Sequence, residues 1–286
     1  MSSVNVTRCG KREFHWGERT YVMGILNVSP DSFSGDGASD IETAVLQAMR
    51  FVEEGADILD IGGESTRPGS SSITIEEELR RVIPIIEKLA GRIEIPISID
   101  SSKYDVVRRA LDSGAEMIND QWGLKTEPKM AALAVKKNVP IILMSNQRDN
   151  GGYDAGAGRD TASYKDVIAE VISSLRKSIT LAEQSGVLKE NIIIDPGIGF
   201  GKTWQQDIET IRRLSELKIL GLPILMGTSR KSLIKMVLNL PANQRVEGTA
   251  ATVAVSIANG ADIVRVHDVK QMARVCKMTD AIVRGI

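Results

Sequence analysis

The sequence predicts an α/β fold, a (β/α)8 or TIM barrel formed by a single domain. Eight short runs rich in β-branched residues recur along the chain, and segments with helical periodicity separate them. The length of 286 residues suits one barrel of roughly 250 residues as well as two domains of ~150 residues. No shift in composition marks a second domain. We therefore expect an N-terminal extension over residues 1–20 and one barrel over residues 21–286.

The eight runs are the predicted strands. They occupy residues 21–28, 57–61, 95–99, 116–119, 140–144, 191–195, 223–226 and 262–266. Most of them are continuously apolar rather than alternating, which is typical of parallel strands that are covered on both faces. An open, doubly wound sheet has the same alternation of strands and helices and is the alternative architecture.

Helices are predicted between the runs, because apolar residues recur there at a spacing of about 3.6 residues. The stripes comprise Ile41, Ala44, Val45, Ala48, Met49 and Val52; Leu79, Val82, Ile83, Ile86 and Leu89; Val106, Val107, Ala110 and Leu111; Val167, Ile168, Val171, Ile172, Leu175 and Ile179; and Ile208, Ile211, Leu214 and Leu217. Thr74 followed by Glu77 predicts a capping box at the start of the second helix, and Pro84 predicts a kink within it.

The composition excludes several classes of protein. Lys and Arg number 36 against 37 Asp and Glu, a net charge of −1, which removes the electrostatic argument for a partner nucleic acid or a polybasic membrane anchor. Two histidines are too few for a multi-histidine metal centre. Cys9 and Cys276 show no metal-type or redox-type spacing, so we expect unpaired thiols. No signal peptide and no apolar run of ~20 residues is evident, so we expect a cytoplasmic protein.

Polar residues follow all eight runs, where a barrel enzyme forms its active site. Asp100, Asn119 and Asp195 come directly after apolar residues and are predicted to point into the barrel mouth. An unpaired carboxylate there is costly, so a ligand rich in N–H donors is expected. The alternative is that these side chains cap the following helices, which is favoured for any single one of them, such as Asp120 or Asp268.

Cations cluster at the same end of the predicted barrel. The cluster comprises Arg67, Arg230, Lys231, Arg265 and His267, with the hydroxyl groups of Ser65, Thr66 and Ser229. This donor set is typical of a phosphate or diphosphate site, and an ordinary scatter of solvated charges is the alternative. Arg265 and His267 alternate on one strand end, which favours the anion site. Asn27 offers a neutral oxygen ligand for Mg²⁺ shared with a diphosphate.

The glycine-rich stretch after Asp195 is not a nucleotide-binding loop by its spacing. Pro196 stands where a P-loop requires its first glycine, counting back from Gly201 and Lys202. Lys202 also stands where a dinucleotide-binding fingerprint requires its last glycine. Close approach of the backbone to a flat ligand is the better explanation of these glycines.

Taken together, these stretches resemble the dihydropteroate synthase family. The matching motifs are MGILNV (23–28), PDSFS (30–34), DIGGESTRPG (60–69), DSSK (100–103), IND (118–120), DPGIGFGK (195–202), SRKS (229–232) and RVHDV (265–269). They span residues 21–270 in the family's order. The resemblance implies a (β/α)8 barrel that is usually a homodimer. It also implies the condensation of 6-hydroxymethyl-7,8-dihydropterin diphosphate with p-aminobenzoate to 7,8-dihydropteroate and diphosphate, for folate synthesis.

The resemblance further implies a role for each matching residue. The pterin would be bound by Asp100, Asn119, Met144, Asp195 and Lys231, of which Asp100, Asp195 and Lys231 would be catalytic. The diphosphate would be held by Thr66, Arg67, Arg265 and His267, p-aminobenzoate would be framed by Phe33, Pro68, Phe200 and Ser229, and Mg²⁺ would be bound by Asn27. The family's mechanism is dissociative, through a pterin-methyl cation, and loops after the first two strands would exclude water.

One departure from the family's pattern concerns the residues after Met144. The family usually has a histidine there, whereas this chain reads Ser145-Asn146-Gln147-Arg148. Two alternative functions are considered: a methyltransferase that moves a methyl group from methyltetrahydrofolate to a corrinoid and, with this departure as its sign, a catalytically silent pterin-binding homologue. The first does not need the diphosphate-binding cations, and the second does not explain why the expected charged residues are all present.

Overall fold

A closed barrel of parallel strands forms the centre of the computed structural model, which describes residues 4–28, 37–64, 72–148 and 165–285. The strands of the described chain are β1 (Val6–Cys9), β2 (Arg12–His15), β3 (Tyr21–Asn27), β4 (Ile58–Gly62), β5 (Ile97–Asp100), β6 (Met117–Asp120), β7 (Ile141–Met144), β8 (Ile192–Asp195), β9 (Leu225–Met226) and β10 (Ile263–Val266). Strands β3 to β10 pair in parallel in the order β8-β7-β6-β5-β4-β3-β10-β9. All eight predicted strands are confirmed.

The sheet closes between β8 and the start of β9. Ile194 forms a parallel bridge with Ile224, and its N–H donates to the carbonyl oxygen of Pro223 at 3.0 Å. The alternative of an open, doubly wound sheet is therefore wrong. Closure satisfies backbone groups that an open sheet would leave at its two edges.

Helices surround the barrel. Those of the described chain are α1 (Gly37–Glu53), α2 (Ile75–Leu89), α3 (Tyr104–Asp112), α4 (Lys129–Lys137), α5 (Val167–Gln184), α6 (Trp204–Arg212), α7 (Ser232–Leu238), α8 (Val246–Ala258) and α9 (Val269–Arg284). Thr74 caps α2 as predicted, since its Oγ1 accepts a hydrogen bond from the N–H of Glu77 at 3.2 Å. The carboxylate of Glu77 binds Arg80 and Arg81 instead of returning to Thr74, so only half of the predicted capping box forms.

The predicted helix through Ile208 and Leu217 is two segments. Helix α6 begins at a full capping box between Thr203 and Gln206 and ends at Arg212, and a 3-10 helix follows over Leu214–Leu220. The buried residues of that second segment, Leu214, Leu217 and Leu220, are spaced by three. This spacing matches the 3-10 period rather than the 3.6-residue period of an α-helix, and it keeps all three leucines against the core.

Alternation along each strand separates two environments. Outward residues such as Leu59, Ile99 and Ile194 belong to the core between barrel and helices. Inward residues near the amino ends of the strands fill the barrel with a second, smaller apolar cluster, which contains Met23, Ile58, Met117, Ile142, Ile193, Leu225 and Ile263. Two residues further along the same strands the inward positions become polar, at Asp60, Asn119, Asp195 and Arg265. The site is therefore built on top of a packed barrel interior.

The N-terminal segment closes the opposite end of the barrel. Strands β1 and β2 form an antiparallel hairpin, and its Phe14 and Cys9 belong to the apolar cluster inside the barrel. The rings of Phe14, Trp16 and Tyr21 contact one another at centroid distances of 4.9–5.6 Å. Within the predicted N-terminal extension, residues 6–15 thus form a hairpin that covers the amino ends of the strands.

Two expectations from composition can be compared with the described residues. Cys9 and Cys276 are both free and buried, as expected. No helix in the described ranges is long and apolar enough to cross a membrane.

We expect Phe14→Ala to lower the free energy of unfolding by about 3–4 kcal/mol, because it leaves a cavity under the barrel floor. Urea titration followed by circular dichroism measures this change. Leu46→Ala is the control, since Leu46 on α1 is 69% exposed and its truncation should cost less than about 0.5 kcal/mol. Equal stability of the two variants would show that the hairpin does not stabilise the barrel.

Candidate active site

The carboxyl ends of the strands hold a guanidinium between two carboxylates. Arg265 on β10 donates from Nε to Oδ2 of Asp60 on β4 at 2.5 Å and from Nη2 to Oδ2 of Asp100 on β5 at 2.6 Å. Burial disfavours the charge of Arg265, but the two carboxylates outweigh burial and raise its pKa. Burial raises the pKa of Asp100 to about 7, against the effect of Arg265. The sequence grouped Arg265 with the diphosphate-binding cations; the structure places its guanidinium among the acidic residues of the barrel mouth.

Two amides complete this cluster. Asn119 on β6 donates from Nδ2 to the same Oδ2 of Asp60 at 3.0 Å. Gln121 donates from Nε2 to Oδ1 of Asp100 through a short hydrogen bond. Sequence reasoning did not single out Gln121, and its only signal is its position directly after the IND motif. Asp60, Asp100, Asn119 and Arg265 are thus brought together from four strands.

Asp195 lies at the end of β8, beside Met144 at the end of β7, with which it is in register. Its Oδ1 accepts the N–H of Gly197 at 2.7 Å. Burial raises the pKa of Asp195, and Lys231 and Arg265 oppose the rise. A buried carboxylate with one backbone donor still has acceptor capacity for a ligand.

Two cations contact the ring of Phe200. Nζ of Lys231 lies 4.3 Å from the ring centroid, and Cζ of Arg148 lies 4.5 Å from it. Burial lowers the pKa of Lys231 to about 8, while Asp195 and Asp207 act in the opposite direction. Lys231 was predicted as a site residue, but Arg148 was noted only as part of the departure from the family's pattern. Phe200 therefore has a position defined by charged neighbours as well as by packing.

A buried lysine and aspartate support the glycine-rich loop after β8. Lys202 donates to the carbonyl oxygen of Pro196 at 3.0 Å, and both carboxylate oxygens of Asp207 accept the N–H of Gly199 at 3.0 and 3.1 Å. Burial lowers the pKa of Lys202 to about 8 and raises that of Asp207 to about 6. Sequence reasoning missed Asp207, which lies on α6 and gives no signal beyond being a charged residue on that helix's buried side.

Ser229 and His267 are brought together at the ends of β9 and β10. Oγ of Ser229 lies 3.0 Å from Nδ1 of His267, and it also accepts the backbone N–H of His267 at 3.2 Å. Arg230, from the same predicted cation cluster, pairs with both carboxylate oxygens of Asp268 at 3.1 and 2.6 Å. Its charge is therefore directed at Asp268.

The two strand-end aspartates for which helix capping was favoured have other structural contacts. Asp120 accepts the N–H groups of Trp122 at 2.9 Å and Leu124 at 2.6 Å, so it stabilises the turn after β6. Asp268 precedes α9 but makes no capping hydrogen bond, because Arg230 occupies its carboxylate. Neither is brought into the cluster around Arg265.

Asn27 lies at the end of β3, in register with Gly62. It is partly exposed, and its side chain makes no hydrogen bond to another described residue. Its amide oxygen is therefore available to a ligand at the barrel mouth. Four predicted site residues, Phe33, Thr66, Arg67 and Pro68, lie outside the described residues.

Residues 145–148, which follow Met144 and differ from the family's pattern, pack against the loop after β8. Gln147 donates its backbone N–H to the carbonyl oxygen of Phe200 at 3.2 Å, and Asn146 donates from Nδ2 to the carbonyl oxygen of Gln121 at 3.1 Å. The backbones approach so closely that a Cβ on Gly201, whose φ is +74°, would lie 2.3 Å from the carbonyl carbon of Gln147. The segment thus joins the turns that carry Gln121 and Phe200.

The fold and this geometry can be set beside known proteins. Residues 23–267 match the model of the family described as pterin binding enzyme. The dihydropteroate synthase of Clostridium beijerinckii is 48% identical over 279 residues, covering 97% of this chain and 99% of the relative. The dihydropteroate synthase of Bacillus subtilis is 47% identical, covering 93% and 89%.

Solved structures of dihydropteroate synthases are similar to this chain as well. The dihydropteroate synthase of Clostridium difficile, solved in the presence of pteroic acid, superposes with a TM-score of 0.87 at 49% identity, covering 94% of this chain and 98% of that one. The Xanthomonas albilineans enzyme with 4-aminobenzoic acid gives a TM-score of 0.88 at 40% identity, covering 98% of each chain.

The chain is a (β/α)8 barrel with acidic residues and adjoining cations at its mouth, and the family model matches it over residues 23–267. The chain therefore belongs to the family of pterin binding enzymes. Within that family it groups with the dihydropteroate synthases, transferases of folate synthesis. The relatives thus favour the first of the three functions considered from the sequence, and the resemblance seen there is confirmed.

We expect binding of 7,8-dihydropteroate to weaken as the pH rises above about 8, because Lys231 loses its charge through its lowered pKa of about 8. Between about pH 7, above which Asp100 is mostly ionised, and about pH 8 the affinity should change little, and above pH 8 it should fall up to about tenfold per pH unit. Calorimetry between pH 6.5 and 9.5 measures this profile.

Lys231→Arg should abolish the alkaline decline, since a guanidinium keeps its proton. Lys202→Arg is the matched control, because Lys202 is also buried with a pKa of about 8 but binds only the carbonyl oxygen of Pro196 within the described residues. Persistence of the decline in Lys231→Arg would assign it to another group.

Proposed function

We propose that the protein condenses 6-hydroxymethyl-7,8-dihydropterin diphosphate with p-aminobenzoate, forming 7,8-dihydropteroate and diphosphate. The observation that carries this proposal is the juxtaposition of acceptors and cations at the barrel mouth. Asp100, Asn119 and Asp195 offer oxygens to a flat heterocycle rich in N–H groups, and Lys231 and Arg265 lie among them. A dihydropteroate synthase from Xanthomonas albilineans has been solved in complex with 7,8-dihydropteroate, which supports this choice of product.

Asp195 is the pterin's main partner in this proposal. The 2-amino group and N3–H of the pterin form a guanidine-like pair of donors, which a carboxylate matches in geometry. Gly197 already donates to one oxygen of Asp195 and fixes the carboxylate's orientation. Asn119 and Asp100 accept further ring donors, Lys231 donates to the pterin, and Met144 packs against the ring.

Arg265 and His267 hold the diphosphate, together with Thr66 and Arg67. A leaving group of this charge requires cations that are in place before the bond breaks. Arg265 is fixed by two carboxylates and His267 by Ser229, so neither needs to reorganise during the reaction.

Asn27 supplies the protein's ligand to Mg²⁺. Its side-chain oxygen is neutral and has no other partner in the described chain. The remaining ligands would come from diphosphate and water, because Mg²⁺ keeps several waters and is held by few protein ligands. When bound, the ion supplies charge stabilisation to the departing diphosphate.

Phe200 and Ser229, with Phe33 and Pro68, frame p-aminobenzoate. The ring of Phe200 is positioned by Lys231 and Arg148, so it presents a defined apolar surface to the arylamine. The arylamine is a weak nucleophile and requires an electrophile with substantial positive charge.

The reaction is dissociative in this proposal. The bond between the pterin methylene carbon and the diphosphate oxygen breaks first, and its electron pair leaves with the diphosphate. The carboxylates of Asp100 and Asp195 stabilise the resulting pterin-methyl cation. The amine nitrogen of p-aminobenzoate then donates its lone pair to the methylene carbon, a C–N bond forms, and the nitrogen releases one proton.

Release of diphosphate that depends on both substrates tests the proposed reaction.

In calorimetry, Asp195→Asn should no longer bind the pterin, because an amide cannot accept both pterin donors. The same variant should still bind inorganic diphosphate. Arg265→Ala should chiefly weaken the binding of diphosphate. Unchanged pterin affinity in Asp195→Asn would contradict the assignment of Asp195, and methyl transfer to a corrinoid without diphosphate release would contradict the reaction.

We also propose that the protein is a homodimer, formed through a surface on α7, α8 and α9. Large apolar side chains are exposed on each of these helices, of which α8 packs on both α7 and α9: Met236, Val237, Leu238, Val255, Met278, Ile282 and Val283. An apolar surface of this kind is typical of an interface between subunits. The sequence left open whether residues 246–257 form an interface or a buried helix; in the structure this helix buries Val253 and Ile257 and exposes Val255.

Ile282→Glu should convert the dimer to a monomer, because Ile282 is 71% exposed near the C-terminal end of α9 and a buried unpaired carboxylate is costly. Sedimentation velocity measures the change. Val135→Glu is the matched control, since Val135 is 42% exposed on α4, and the strand before α4, β6, lies across the barrel from β10. A dimer that survives Ile282→Glu would place the interface elsewhere.

A further inference from the structure

We propose that Asp60 is a positioning residue of this site, which fixes the orientation of Asn119 and offsets the charge of Arg265 without contacting the substrates. Asp60 is fully buried. Its Oδ2 accepts hydrogen bonds from both residues, at 3.0 Å from Nδ2 of Asn119 and at 2.5 Å from Nε of Arg265. The inference rests on the proposed function for the identity of the ligands.

The contact with Asn119 decides which amide atom faces the ligand. An amide carries donors on nitrogen and acceptors on oxygen, and only the nitrogen can bind a carboxylate. Because Asp60 binds Nδ2, the oxygen of Asn119 is turned away from Asp60 and accepts from a ligand donor. Without Asp60 the amide can rotate by 180°, and a donor would then face the donors of the pterin.

The contact with Arg265 sets the charge at the barrel mouth. Arg265 lies between Asp60 and Asp100, so its attraction for an anion is opposed by two carboxylates at hydrogen-bonding distance. The balance is functional in a dissociative reaction, because diphosphate must be stabilised as it leaves and must then dissociate.

The two oxygens of Asp60 have different surroundings. Oδ2 accepts both hydrogen bonds, whereas Oδ1 is buried without a hydrogen-bond partner in the described chain, so all the hydrogen bonds of this carboxylate go to Asn119 and Arg265. Asp280 provides the contrast: it is a buried carboxylate on α9 whose two oxygens accept from Thr20 and Arg284. Both carboxylates bind an arginine, but only Asp60 leaves an oxygen unpaired.

Two substitutions separate the two roles. In Asp60→Asn the amide oxygen takes the position of Oδ2 and keeps both of its hydrogen bonds. The amide nitrogen takes the position of Oδ1, which has no partner in the described chain. This variant therefore removes the negative charge but keeps the hydrogen bonds. We expect inorganic diphosphate to bind about tenfold tighter to this variant, because a nearby negative charge is lost, while 7,8-dihydropteroate binds within about threefold of the parent protein. Asp60→Ala also removes the acceptor, and 7,8-dihydropteroate should bind at least about tenfold more weakly.

Calorimetry with 7,8-dihydropteroate and with inorganic diphosphate measures both affinities, and urea titration shows that the variants are folded. Asp280→Asn is the matched control, which should lower stability and leave both affinities unchanged. If Asp60 were only structural, its substitution would weaken the binding of both ligands together. A fall in diphosphate affinity in Asp60→Asn therefore overturns the proposal. Parent-level dihydropteroate binding in Asp60→Ala also overturns it. Failure of the parent protein to release diphosphate with both substrates contradicts the proposed function instead.

Discussion

The compensation of buried charge at the carboxyl ends of the strands is the constraint on which the site depends. Arg265 is placed where a lone guanidinium would be costly, and its contacts with Asp60 and Asp100 make that placement possible. These three residues come from β10, β4 and β5, and the barrel alone brings them within hydrogen-bonding distance, across as many as 205 positions of sequence. A shift of one residue in the register of any of these strands would turn its charged side chain from the barrel mouth toward the apolar helix layer.

The same period of two explains how a small barrel holds both a packed core and a polar site. Inward residues near the amino ends are apolar and are covered from below by the hairpin with Phe14. Two residues further along, the inward residues carry charge. The barrel interior under Asp60 is therefore apolar and buried, and such surroundings strengthen the electrostatic interactions in the layer above it. Stability and chemistry are supplied by the same strands, in successive layers.

The strands, most helices and the residues that end the strands could be predicted from the sequence, because apolar periodicity and strand ends are local features. Asp100, Asn119 and Asp195 could be predicted at the barrel mouth for that reason. The hairpin at residues 6–15 was not predicted, since its short strands have no independent apolar run. The pairing of Arg265 with Asp60 and the support of Gly199 by Asp207 could not be predicted either, because a charged residue in a sequence does not name its partner. The 3-10 segment after α6 was missed because leucines spaced by three also fit an α-helical stripe.

The segment Ser145–Arg148 shows how a site can tolerate a departure from its family's pattern. A histidine at a pocket rim acts through its side chain, whereas this segment acts largely through its backbone: Gln147 binds the carbonyl oxygen of Phe200, and Asn146 bridges to Gln121. Arg148 then brings a permanent cation over the ring of Phe200. The acidic cluster around Arg265 does not include this segment. Asn146 reaches the cluster only through the backbone of Gln121, whose side chain binds Asp100, so the side chains of Ser145–Arg148 can change without removing a charge from that cluster.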